Sequence, residues 1–136
     1  MSTAQNLAYA VVQVAHNFGA VAVVGGSLFA LKIREAKARR KLAWLSLAGW
    51  GTQAASGAAF GAVTYYYYHQ PPDISGIAIV ALAIKIVCVA VGFLLLFTYL
   101  LRSENRAQET SNVAWITSSA LAVTALCAAA FLRWFS

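Results

Sequence analysis

The stretch Ile74–Leu101 reads ISGIAIVALAIKIVCVAVGFLLLFTYLL, a continuous apolar run broken by one charge, Lys85. About 20 helical residues, rising 1.5 Å each, cross a hydrocarbon core roughly 30 Å thick. A run of this length and composition predicts a transmembrane helix. Pro71 and Pro72 stand just before it, separated by Asp73, and two consecutive prolines cannot continue a helix, so the segment preceding them ends there.

Working outward, three further spans emerge. The first covers about Leu7–Leu31 and ends at the basic residues Lys32, Arg34, Lys37, Arg39, Arg40 and Lys41. The second covers about Leu42–Tyr68 and stops at His69-Gln70-Pro71-Pro72-Asp73. The fourth covers about Val113–Leu132, after the polar linker Arg102-Ser103-Glu104-Asn105-Arg106. The chain of 136 residues is 61% hydrophobic and 10% charged, against about a quarter charged in a soluble domain. The four spans nearly exhaust the chain, so residues 1–136 read as a single transmembrane domain. Backbone in lipid must satisfy its own hydrogen bonds, and no closed barrel fits this length. The expected class is therefore all-α: an integral membrane four-helix bundle. With no basic residue ahead of the first apolar stretch, a cleaved signal peptide is not expected.

Charge placement predicts orientation. Six of the ten basic residues fall between spans one and two, and Arg102 and Arg106 fall between spans three and four. None lies between spans two and three. Positive loops stay in the cytoplasm, so both termini are expected on the outer, periplasmic side of a multi-pass protein of the inner (cytoplasmic) membrane. The net charge of +6 then reflects span ends meeting lipid headgroups, and nucleic acid is not an expected partner. Tyr65–Tyr68 and Trp44 fit aromatic belts at the two faces. Cys88 and Cys127 lie in apolar segments and read as small hydrophobes.

Two ionisable side chains fall deep within spans: His16 in the first and Lys85 in the third. A charge at that depth costs at least about 2.5 kcal/mol, and such residues are functional candidates by default. All four acids, Glu35, Asp73, Glu104 and Glu109, lie in expected loops, so no carboxylate of this chain can neutralise Lys85 at mid-membrane. That leaves a deprotonated amine, an anion from a cofactor or partner subunit, or a wet cavity. Gln13 and Asn17 share a stripe with His16, and this stripe is expected to face the bundle interior. A neutral imidazole there either glues helices together or ligates haem iron or copper. His69, beside Gln70 and Asp73 at the outer interface, reads as solvated, with a weak outward metal contact as the alternative. On rise alone His16 and His69 lie too far apart along the membrane normal to share one iron. Gly49, Gln53, Gly57 and Gly61, spaced by four, are expected to form one helix face. That face either packs closely or clears room for a flat cofactor. Ser118, Ser119 and Thr124 are expected to bond their own helix. Motifs for hydrolysis, phosphate binding and zinc coordination are absent from the sequence.

The stretch His16-Asn17-Phe18-Gly19-Ala20-Val21-Ala22-Val23-Val24-Gly25-Gly26, a histidine followed nine and ten residues later by a glycine pair, resembles the opening of the CopD-like membrane domain. Where that family carries a tryptophan two residues before the glycines, Val23 stands here. Lys85-Ile86-Val87, in an apolar run ending at Arg102, resembles the lysine-bearing helix of the same group. The related HemJ-type protoporphyrinogen oxidases pair a first-helix histidine and a later lysine with haem b. The resemblance thus implies haem b at His16, with Lys85 as partner of a propionate or of a bound quinone, and a role in electron transfer. Copper handling is implied by the family name, although copper(I) prefers sulfur ligands and Met1, Cys88 and Cys127 are scattered. From another class comes a cofactor-free accessory subunit packed as a homo-oligomer or in a larger membrane complex.

Overall fold

A computed structural model describes residues 2–101 and 108–135. Every regular element in them is a helix: α1 (Thr3–Lys32), α2 (Ala36–Tyr68), α3 (Ile77–Leu101) and α4 (Gln108–Phe135). The linker 102–106 lies outside the described residues apart from its position between α3 and α4. Three helices, α1, α3 and the 112–135 part of α4, are long and apolar enough to cross a membrane. The sequence places a fourth span on α2. That helix is long, but Ser, Thr, Gln, Gly and its four tyrosines dilute its apolar character.

Helix ends follow local chemistry. The Ser2 side chain accepts from the Gln5 backbone N–H at 3.2 Å, an N-cap. α2 starts six residues earlier than the expected span, at Ala36, because Ala, Lys and Arg are strong helix formers whose charged tips can reach water. Four of the six basic residues between the first two expected spans, Lys37, Arg39, Arg40 and Lys41, therefore sit on the first turns of α2. At its other end, His69 takes the left-handed conformation (φ 52°) and its N–H bonds the Tyr65 carbonyl at 2.8 Å, closing the helix just before the two prolines. α3 begins at Ile77, after Gly76 with φ 53°, three residues later than the apolar run suggests.

α1 packs on α2, α2 on α3, α3 on α4, and α4 back on α1. α1 and α2 approach closely. A Cβ on Gly49 would lie 2.8 Å from Val23 Cγ2 and 3.0 Å from both Val23 N and Gly19 O, and one on Gly26 would fall on Ser46 Oγ. Between α2 and α3, the Trp50 indole fills the space left by Gly92. Ser27 and Ser118 share a buried hydrogen bond of 2.8 Å between α1 and α4, so Ser118 bonds across helices where its own backbone was the expectation. Tyr99 meets Trp115 edge-on between α3 and α4.

The interior is built from small residues around two tryptophans: Ala30, Ala43, Ser27, Ser46, Ala78 and Ser118 are buried with Trp50 and Trp115. Large apolar side chains point outward instead, among them Phe18, Val21 and Phe29 on α1 and Val80, Ile86 and Leu94 on α3. An apolar exterior of this extent suits hydrocarbon and would be an aggregation liability in water. Arg39, one of the six basic residues read as an orientation signal, also has a structural contact. It is buried, donating from Nε to the Ile33 carbonyl at 2.6 Å and from Nη2 to Asn112 Oδ1 at 2.9 Å, and so joins the α1–α2 turn to α4.

Candidate functional site: a histidine–lysine pair between three helices

Polar side chains from α1, α2 and α3 meet at one point. His16 of α1 places Nδ1 2.7 Å from Ser56 Oγ of α2, while Lys85 Nζ of α3 lies 2.9 Å from His16 Nε2. Gln53 of α2 donates to the His16 backbone carbonyl at 2.6 Å. Phe60 sits edge-on to the imidazole, with centroids 5.8 Å apart. No Cα pair brings α1 and α3 into contact among the described residues, so the lysine stem spans the interior to reach the ring.

The hydrogen-bond directions are set by counting protons. A serine hydroxyl has one proton, and that of Ser56 goes to the Thr52 carbonyl at 2.6 Å. With its proton there, Ser56 accepts from His16, and the imidazole is then the Nδ1–H tautomer. Its Nε2 lone pair is left as acceptor for Lys85. Ser56 is buried and bound to its own helix, so the ring orientation is fixed from α2.

The sequence readings separate at this point. His16 and Lys85 are neighbours, and the partner of Lys85 is an imidazole, where a deprotonated amine, an external anion or a wet cavity was expected. The described acids lie elsewhere: Glu35 is the N-cap residue of α2, Asp73 is exposed in the α2–α3 connection, and Glu109 falls in the first turn of α4, which begins at Gln108, where a loop was expected. Gln13 and Asn17 do not face inward. Both are exposed and bond each other at 2.7 Å, because successive turns of α1 carry them to the side away from α2. His69 is exposed in its capping role, thirteen residues along from Ser56 and thus about 20 Å away on helical rise. The four-residue row on α2 also divides. Gly49 and Gln53 pack on α1, whereas a Cβ at Gly57 or Gly61 would meet nothing within 4 Å. Each step of four advances 400°, so the row drifts 40° per step off the α1 face. Ser56 escaped sequence reading. The signal was the local cluster Thr52, Gln53 and Ser56, the most polar patch in the middle of α2.

Cys88 is buried and Cys127 exposed, both as free thiols. Among the described residues, no three or more His, Cys, Asp or Glu side chains gather where they could hold a metal ion. A metal at this site would draw on His16 Nε2 as its one histidine nitrogen, a donor set that does not fit copper(I). For haem the fit is better. Metal-ligating imidazoles characteristically donate their other N–H to a fixed acceptor, as His16 does to Ser56, and open space lies beside Gly57 and Gly61 on α2. No protein-family model, curated protein or solved structure matches the chain.

Proposed function

We propose that this chain is a four-helix, multi-pass protein of the cytoplasmic membrane, with both termini outside, that holds a haem b through His16 and serves electron transfer. The observation carrying the reading is the His16 imidazole, anchored by Ser56 through Nδ1 and presenting Nε2 toward Lys85 inside a lipid-facing helical protein. His16 would supply the iron ligand, and Lys85, released from Nε2, would pair with an anionic edge of the group. Haem would supply one-electron chemistry there. The protein's own share is to fix the ring's tautomer and to exclude water. The meeting of the histidine and lysine singled out by the CopD-like and HemJ-type resemblance supports the same reading. The exposed apolar surfaces of α1, α3 and α4 support membrane insertion, and the charge asymmetry supports the orientation and a fourth pass by α2.

A second reading has its own observation: Nε2 is already satisfied by Lys85, so the cluster is self-consistent as interhelical glue in an accessory subunit of a homo-oligomer or larger complex. An absorption spectrum of the purified, haem-supplemented protein separates the two. A Soret band that disappears in His16→Ala, while that variant still inserts, is the expected result. A colourless wild-type protein after supplementation would leave only the accessory reading.

A further inference from the structure

We propose that the His16–Lys85 pair is a binding site for the carboxylate of a lipophilic molecule, entered from the bilayer between α2 and α3. The inference does not need iron ligation by His16, since it rests on which hydrogen-bonding capacity the cluster leaves unused. The Gln53 amide donates to the His16 carbonyl, Ser56 to Thr52, and the imidazole N–H to Ser56. An ammonium carries three donors. Lys85 gives one to Nε2, and among the described residues nothing accepts the others. In its ammonium form Lys85 would be a cationic donor set among apolar groups without a counter-charge, and a carboxylate would supply one.

The helix register shows where that anion would sit. The short connection between α2 and α3 makes them antiparallel, and Trp50 faces Gly92. Seven residues is nearly two full turns. Counting seven along each helix toward that connection therefore keeps to the same faces and sets Gly57 opposite Lys85. At the Trp50 level an indole fills the seam. At the Gly57 level α2 carries no side chain on this face; Gly57 is exposed, and a Cβ there, or one turn on at Gly61, would meet nothing within 4 Å. Lys85 and His16 are both only partly buried. The apolar exterior around this opening favours a carboxylate delivered on a hydrophobic body over a free aqueous anion.

Two sources share this chemistry, a long-chain fatty acid and a haem propionate, and esterification tests each. Binding to detergent-purified, haem-free protein would be measured for a fluorescent fatty acid and its methyl ester, and separately for haem b and its dimethyl ester. At least tenfold preference for an acid over its ester is expected, with that preference lost in Lys85→Met. Preference within the fatty-acid pair alone identifies a free acid; preference within the haem pair alone identifies a propionate. Gly57→Leu, which keeps both polar residues and fills the seam, should weaken acid binding at least tenfold and serves if Lys85→Met does not fold. Equal binding of acid and ester in both pairs overturns the proposal. Retention of the preference in Lys85→Met, or undiminished acid binding in Gly57→Leu, overturns it as well.

Discussion

Replacing Gly92 by alanine tests the α2–α3 seam that positions Lys85. The added Cβ would lie 2.5 Å from Trp50 Cε2 and 2.7 Å from both Cζ2 and Nε1, about 1 Å short of the optimum near 3.5 Å. The indole cannot retreat, being 1% exposed. The strain must therefore separate the helices or push the ring off its rotamer, and overpacking of this kind costs about 1–3 kcal/mol. The usual gain in helix propensity from Gly to Ala cancels here, because isolated spans stay helical when the helices part. At about 1.4 kcal/mol per tenfold, the folded-to-unfolded ratio should fall roughly 5- to 150-fold in equilibrium unfolding by SDS in mixed micelles. Gly57→Ala, on the same seam with nothing within 4 Å, should stay within about 0.5 kcal/mol of wild type. Equal stability of the two variants would refute the packing assigned to Trp50.

Two other outcomes follow from the site and the charge pattern. His69→Ala should leave the Soret band in place while His16→Ala removes it, since His69 caps α2 well away from Ser56; equal loss in both would place His69 at a haem site. For topology, an impermeant thiol reagent on intact cells should label Ser2→Cys and spare Lys37→Cys, Lys37 being exposed where neighbouring Arg39 is buried; labelling of Lys37→Cys would reverse the orientation.

Much of this was legible in the chain. Apolar run length located the helices, and Pro71 and Pro72 marked the end of α2 because a missing N–H and a fixed φ act locally. The rarity of charge in apolar runs picked out His16 and Lys85 before any contact was visible. Facing directions were harder to read. Gln13 and Asn17 were read as sharing a stripe with His16, yet they lie about 60° and 100° round the helix from it, enough to put both outside. The drift of a four-residue spacing likewise carried Gly57 and Gly61 off the face held by Gly49. The burial of Arg39 left no local trace, because its acceptors, Ile33 O and Asn112, come from a turn and from a distant helix. Ser56 gained its meaning only when α1 was laid against α2.

The most direct test is solid-state NMR of the protein in lipid bilayers with 15N-labelled histidine and lysine. In haem-free protein His16 should appear as the Nδ1–H tautomer, with its Nε2 correlated to Lys85 Nζ through space, and both signatures should change in Ser56→Ala. An Nε2–H tautomer in the wild type, or no contact between the His16 ring and Lys85, would contradict the account.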